Sequence, residues 1–135
     1  MIVRSFLFAL VSLVVFLALG GTRSALGEQT SSPLNVATYN LRLDLESDGA
    51  NAWPQRKAMV LSLIRYHEFD IFGTQEGLPH QIRDLEELSE FARAGVGRDD
   101  GQAAGEHAAI FFRKARFLEL ARGDFWLSET PNKPS

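Results

Sequence analysis

Cysteine is absent from the 135 residues, and histidine occurs only three times, as His67, His80 and His107. The absence of cysteine excludes disulfide bonds and thiolate metal sites. We expect each of the three histidines to be a surface residue rather than a catalytic one. Oxygen ligands are therefore the main metal chemistry that the sequence offers, and such ligands favour Mg²⁺, Mn²⁺ or Ca²⁺.

The first 27 residues have the pattern of a secretory signal peptide. Arg4 gives a positive start, and an almost unbroken apolar run follows at 6–19. Ala25 and Gly27 are the small residues expected before a cleavage site. The alternative is an uncleaved N-terminal membrane anchor, which needs roughly 20 apolar residues. We expect cleavage and export to the periplasm or the medium, with no stable membrane partner afterwards.

The rest of the chain is acidic. Removal of residues 1–27 takes away two of the 14 basic residues and none of the 17 acidic ones, which leaves 12 and 17 and a net charge of −5. High affinity for nucleic acid depends on neutralising phosphates with lysine and arginine, and no such basic surface is indicated. An anionic substrate would therefore need a bound cation to offset the charge of the domain.

Hydrophobic periodicity after the leader predicts strands alternating with helices. A polar linker at 28–33 comes first. The predicted elements are strands at 34–40 and 69–74, a helix that opens at Trp53-Pro54, a helix at 79–91, and strands at 107–113 and 116–125. Because only two residues separate the last two strands, we expect them to form an antiparallel hairpin. This order predicts an α/β fold with a mixed sheet and helices on one face.

Polar residues end the first two predicted strands. Asn40 closes the first, and Gln75 and Glu76 close the second. If the helix between them makes a right-handed crossover, the strands are parallel and their carboxyl ends are neighbours. Asn40 and Glu76 would then face one cleft and offer an amide oxygen and a carboxylate to Mg²⁺. The spacing alone leaves open that both segments are ordinary polar turns.

Four segments, in order, resemble the endonuclease/exonuclease/phosphatase superfamily, which has the DNase I-like fold. They are VATYNLR at 36–42, WPQR at 53–56, FDIFGTQEG at 69–77 and GEHAAIFFRKARFLELARGDFWLSETP at 105–131. The resemblance is closest to a secreted bacterial branch related to carbon catabolite repressor-type deadenylases. It implies that residues 34–135 are a truncated domain, the N-terminal half of a four-layer α/β sandwich.

The resemblance also implies a Mg²⁺- or Mn²⁺-dependent phosphoester hydrolase. Asn40 matches an asparagine of the catalytic centre that lies beside the metal and the scissile phosphate. Glu76 matches the principal metal ligand, so the implied metal site consists of Glu76 and Asn40. The implied substrates are nucleic acids, phospholipids or small phosphate esters, and the deadenylase relation points to a 3′–5′ RNA exonuclease.

Three further positions match the family with less definite roles. Arg56 is expected to be structural, through a salt bridge to the acidic loop at 41–52. Gln75 either supports its strand end or serves only in packing or the turn. Glu106 has either a role on the substrate side of the site or a surface role.

The family's T-H, G-D-x-N and S-D-H motifs are absent from the 135 residues. The resemblance places these motifs in the C-terminal half of the domain, which we therefore expect to be the missing partner. We expect little or no activity from the isolated chain, and exposed apolar residues on one face of its sheet. The alternative is a half-domain that binds without catalysis or is only a remnant.

Overall fold

The computed structural model describes residues 32–135. The predicted signal peptide at 1–27 and most of the linker at 28–33 lie outside the described residues. Seven elements follow in chain order. They are β1 (Val36–Asn40), a 3₁₀ helix (Glu46–Asn51), α1 (Trp53–Tyr66), β2 (Ile71–Gln75), α2 (Pro79–Leu85), β3 (Phe91–Ala94) and β4 (Ile110–Arg113).

Helix α1 begins where the sequence predicts it. Pro54 occupies the first turn, where its missing N–H removes no helical hydrogen bond. The backbone N–H of Trp53 donates to Asp44 Oδ1 at 3.0 Å, which satisfies one of the free donors at the helix start. Val60, Leu61 and Ile64 form the buried stripe that packs on the sheet.

The sheet has the order β1-β2-β4-β3. Strands β1 and β2 are parallel, with Val36 opposite Ile71 and Asn40 opposite Gln75. Strand β4 is antiparallel to both β2 and β3. The mixed sheet is therefore confirmed, and the carboxyl ends of β1 and β2 lie side by side.

Two predicted elements are wrong. The expected hairpin between 107–113 and 116–125 does not form, because β4 already has β2 on one side and β3 on the other. Residues 116–125 form no strand and follow an irregular path. The second helix ends at Leu85 instead of continuing to 91, because Phe91 is the first residue of β3 and turns into the core.

One face of the sheet is buried and the other is open. Phe72 and Phe111 stack with ring centroids 4.9 Å apart on the helix-covered face. On the other face, Val36 is 63% exposed and Ile110 is 50% exposed, while Phe112 is half-buried. The predicted exposure of apolar side chains is thus confirmed for Val36 and Ile110. Within residues 32–135, none of the helices has the length and apolar character needed to cross a membrane.

Asp70 ties the amino-terminal ends of the strands together. It is almost fully buried, and its Oδ2 accepts the N–H of Asn35 at 2.9 Å. Arg116 forms an ion pair with the same carboxylate, and Arg113 lies 3.9 Å from it. These contacts, the Asn35 hydrogen bond first, hold the pKa of Asp70 below its usual value, although burial opposes them.

The ionised Asp70 carboxylate should therefore stop contributing to the free energy of unfolding at acidic pH. A carboxyl whose pKa is lowered by folding stabilises the protein above its unfolded pKa, about 3.8 for Asp70, and this contribution disappears as the pH falls through the folded pKa. We expect the Tm of Asp70→Asn to lie below that of the wild type at neutral pH, with a difference that shrinks below about pH 4. Thermal unfolding monitored by circular dichroism measures this difference.

The matched control is Glu46→Gln, because Glu46 is exposed and forms no salt bridge within residues 32–135. Its Tm should follow that of the wild type at every pH. A Tm difference for Asp70→Asn that stays constant from neutral to acidic pH would contradict the role given to the Asp70 charge.

Candidate active site

Asn40 and Glu76 meet at the carboxyl ends of the parallel strands. Asn40 is the last residue of β1, and Glu76 follows the last residue of β2. The side-chain amide of Asn40 donates from Nδ2 to Glu76 Oε1 at 2.8 Å. The structure therefore brings together the two residues that the sequence singles out.

The turn after β1 fixes both side chains. Arg42 has a left-handed backbone, with φ of 59°, and its N–H donates to Asn40 Oδ1 at 2.7 Å. The next N–H, of Leu43, donates to Glu76 Oε2 at 3.1 Å. These donors settle the orientation of the Asn40 amide, since its oxygen faces a backbone N–H and its nitrogen faces a carboxylate.

Glu76 itself adopts φ of 59°, a conformation that residues other than glycine adopt infrequently. Such conformations cluster at functional sites, where the surrounding contacts hold them in place. The hydrogen bonds from Asn40 and Leu43, together with the nearby charge of Arg42, hold the pKa of Glu76 below its usual value, although burial opposes them. Glu76 is therefore an anion at neutral pH.

Two arginines shape the loop that follows β1. Arg42 forms a bidentate ion pair with Asp48, in which Nε donates at 2.6 Å and Nη2 at 2.7 Å. Arg56 donates instead to backbone carbonyls, to Asn51 O at 2.6 Å and to Leu41 O at 3.0 Å. The expected salt bridge from Arg56 to the acidic loop is therefore wrong, because its guanidinium holds the loop through the main chain.

A cleft of about 390 Å³ opens beside the pair. Asn40, Gln75 and Glu76 line one part of it. Its other walls are formed by residues from two later segments, Val96, Arg98, Glu106, His107 and Ala108 from one and 124–127 from the other. The sequence patterns did not place Arg98 or residues 124–127 in the site, because these residues belong to irregular segments whose approach to β1 and β2 depends on tertiary packing.

The remaining positions of interest have simple contacts. Gln75 Nε2 donates to Thr38 Oγ1 at 3.1 Å and so links the ends of β2 and β1. Glu106 lines the cleft and accepts from Arg98 Nη1 at 3.1 Å. His107 is buried, with 4% exposure, and its Nδ1 lies 3.1 Å from Gly105 O. The expectation of a surface histidine is therefore wrong for His107.

Glu76 suits a hydrated divalent cation. Each of its oxygens accepts one hydrogen bond, which leaves further lone pairs for a metal. Mg²⁺ commonly binds through only one or two carboxylates and keeps several waters. Within residues 32–135, no cluster of three or more acidic or histidine side chains is arranged to hold a metal. The Asn40 oxygen is occupied by the Arg42 N–H, so direct ligation by Asn40 stays a prediction.

Solved bacterial structures with similar folds are available for comparison. An endonuclease/exonuclease/phosphatase family protein from Bacteroides thetaiotaomicron is 51% identical over 76% of this chain, with a TM-score of 0.73. A mannosyl-6-phosphatase from the same organism is 50% identical over 76% of this chain, with a TM-score of 0.73. An endonuclease/exonuclease/phosphatase from Bacteroides vulgatus is 43% identical over 77%, with a TM-score of 0.75.

The chain spans only 39%, 40% and 40% of the length of these three structures, respectively. No protein-family profile matches it. No curated protein matches it either. Identities of 43% to 51% over three quarters of the chain, on a shared fold, indicate common descent. The chain therefore belongs to the endonuclease/exonuclease/phosphatase family, and its share of the related structures is consistent with the N-terminal half of that fold.

Proposed function

We propose that this chain supplies the metal-binding part of a Mg²⁺- or Mn²⁺-dependent phosphoester hydrolase. The observation that carries the proposal is the Asn40–Glu76 pair, held at 2.8 Å beside an open cleft. The phosphatase among the similar structures supports a phosphoester substrate. Glu76 is the proposed metal ligand, and Asn40 orients it.

A divalent ion bound at this site would polarise a phosphoryl oxygen and offset negative charge on the substrate. The chain's own residues prepare the site for that chemistry. Asn40 donates to one oxygen of Glu76 and Leu43 donates to the other, so the carboxylate is fixed before any ligand arrives. Such preorganisation avoids the cost of reorienting polar groups during the reaction.

We favour a small phosphate ester of a sugar as the substrate. A protein that is 50% identical over 76% of this chain is a mannosyl-6-phosphatase. The cleft also carries acidic side chains, Glu106 and Asp124, beside a single arginine, Arg98. Polyanionic RNA is bound through many basic contacts, so the 3′–5′ RNA exonuclease implied by the deadenylase-related resemblance has less support.

Catalysis requires more than these two residues. The family resemblance assigns a base and histidines to motifs that the 135 residues do not contain. We therefore propose that the chain alone hydrolyses phosphoesters slowly or not at all, and that a complete protein of this family has the full site. A half-domain that binds without catalysis is the alternative, and the exposed Val36 and Ile110 are the observation that favours it.

Replacement of Glu76 tests the proposal in a longer protein that joins this chain to the C-terminal half of a related family member. Glu76→Gln removes the negative charge that would hold the cation while keeping the shape of the side chain. We expect Mg²⁺-dependent release of inorganic phosphate from a hexose 6-phosphate to fall at least about 100-fold, the scale on which loss of one preorganised electrostatic group acts. Phosphate release is measured with and without a chelator.

The matched control is Glu87→Gln, since Glu87 is an exposed carboxylate whose partner is Lys57 on α1. It should retain the wild-type rate and the same Mg²⁺ requirement. Undiminished hydrolysis by Glu76→Gln would contradict the proposed role of Glu76. Hydrolysis by the wild type that persists in the chelator would contradict the metal requirement.

We propose that the protein is exported, on the basis of the leader at 1–27. If the signal peptide is cleaved as the small residues suggest, N-terminal sequencing of protein recovered from the periplasm or the medium should begin at Glu28. Recovery of the intact N-terminus in the membrane fraction would support the alternative of an anchor.

A further inference from the structure

Gln81 connects α2 to the turn that follows β1. Its side chain is fully buried, with 0% exposure. Its Oε1 accepts the N–H of Leu78 at 2.9 Å, which caps the start of α2. Its Nε2 donates to Arg42 O at 2.8 Å, across 39 positions of sequence. The hydrogen bond with Leu78 is sufficient to cap the helix, so the hydrogen bond to Arg42 O must serve a different purpose.

The hydrogen bond from Gln81 to Arg42 O stabilises the turn that follows β1. Arg42 is fixed from two sides, because its carbonyl accepts from Gln81 and its N–H donates to Asn40 Oδ1. The left-handed backbone of Arg42 sends the next N–H, of Leu43, to Glu76 Oε2. Gln81 therefore has no side-chain hydrogen bond to Asn40 or Glu76, yet it holds Arg42. The N–H of Arg42 donates to Asn40, and the N–H of the next residue, Leu43, donates to Glu76.

The start of α2 is itself held closely against the site. A Cβ added to Gly77, the residue after Glu76, would lie 2.6 Å from Ile82 Cδ1 and 3.3 Å from Leu41 Cδ1. The main chain at Gly77 therefore packs closely against the side chains of Ile82 on α2 and of Leu41, and a larger residue at 77 would require the Ile82 side chain to move. Gln81 thus lies next to Ile82, the helix residue that packs against the main chain directly after Glu76.

We propose that Gln81 is a positioning residue for the Glu76 site. Its amide donates to the carbonyl of Arg42 and so fixes the turn. In this turn the N–H of Arg42 is directed at Asn40 Oδ1, and the N–H of Leu43 is directed at Glu76 Oε2. A buried donor and acceptor left without partners cost free energy, so the turn relaxes when the amide is removed. The consequence for metal binding rests on the proposed function, whereas the consequence for the turn does not.

Two substitutions separate positioning from helix capping. Gln81→Glu keeps the oxygen that accepts from Leu78, and its ionised form has no proton to donate to Arg42 O. Because burial raises the pKa of a carboxyl, exchange in this variant is followed from about pH 7 to about pH 9, so that the ionised form is reached. Gln81→Met has a similar shape and loses both hydrogen bonds. Leu85→Val is the control, because Leu85 is fully buried on the same helix and does not contact the turn through a hydrogen bond.

Amide hydrogen exchange, measured by NMR on the full chain, gives the readout. We expect the amides of Arg42 and Leu43 to exchange about tenfold faster in both Gln81 variants, which corresponds to the loss of one typical hydrogen bond. The amide of Leu41 should keep its protection, because it donates to Gln75 O at 2.9 Å. In Leu85→Val, the amides of Arg42 and Leu43 should exchange at the same rate relative to Leu41 as in the wild type.

A capping role alone predicts a different pattern. Gln81→Glu would then match the wild type, and Gln81→Met would accelerate only amides of α2 such as Ile82, which donates to Leu78 O. Either result would overturn the proposal. Unchanged exchange at Arg42 and Leu43 in both variants would also overturn it.

Calorimetric titration with Mn²⁺ separates this inference from the proposed function. If both hold, the Gln81 variants bind Mn²⁺ about tenfold or more weakly than the wild type and Leu85→Val, as is usual when a group supporting a metal ligand is lost. Absence of Mn²⁺ binding by the wild type contradicts the metal site. The hydrogen-exchange data then test, independently of metal binding, whether Gln81 positions the turn. Equal Mn²⁺ affinity in all four proteins contradicts the effect of Gln81 on the site.

Discussion

The parallel pairing of β1 with β2 is the constraint on which the site depends. Asn40 lies opposite Gln75 in this register, so Glu76 comes next to Asn40 as the chain leaves the sheet. A shift of one residue would turn the side chain of Asn40 to the opposite face of the sheet. The helix α1, which covers one face, provides the long connection that two parallel strands require.

The same sheet has two faces of different character. Phe72 and Phe111 belong to the buried cluster beneath the helices, whereas Val36 and Ile110 remain exposed on the other face. A sheet with one apolar face in solvent is unfavourable, because burial of apolar surface is the main stabilising term in folding. The exposed face fits a chain that spans about 40% of the structures it resembles.

Local patterns predicted the parts of the structure that are determined locally. The apolar stripe of α1 and the polar ends of β1 and β2 are visible in the sequence. The pattern alone leaves Asn40 and Glu76 as possible turn residues, and the family resemblance singles them out as site residues. The resemblance to the endonuclease/exonuclease/phosphatase superfamily is confirmed by the solved structures. Whether Asn40 and Glu76 ligate a metal stays a prediction.

Other features depend on tertiary contacts that the sequence does not display. Phe91 fits the apolar spacing of the preceding helix, so β3 was missed, and with β3 the neighbour that prevents 116–125 from pairing with β4. Burial of His107 depends on its bridges to Gly77 and Gly97. The hydrogen bond of Gln81 ends on a backbone carbonyl, which has no side-chain signature in the sequence.

The central claim is that a divalent cation binds at Glu76, between the ends of β1 and β2. Paramagnetic broadening by Mn²⁺ in amide NMR spectra of the chain tests it most directly, because the effect falls steeply with distance from the ion. The account predicts that substoichiometric Mn²⁺ first broadens the amides of Asn40, Leu43 and Glu76, and that Glu76→Gln abolishes this broadening. Broadening that appears first at other carboxylates, such as Asp100, or that persists in Glu76→Gln would contradict it.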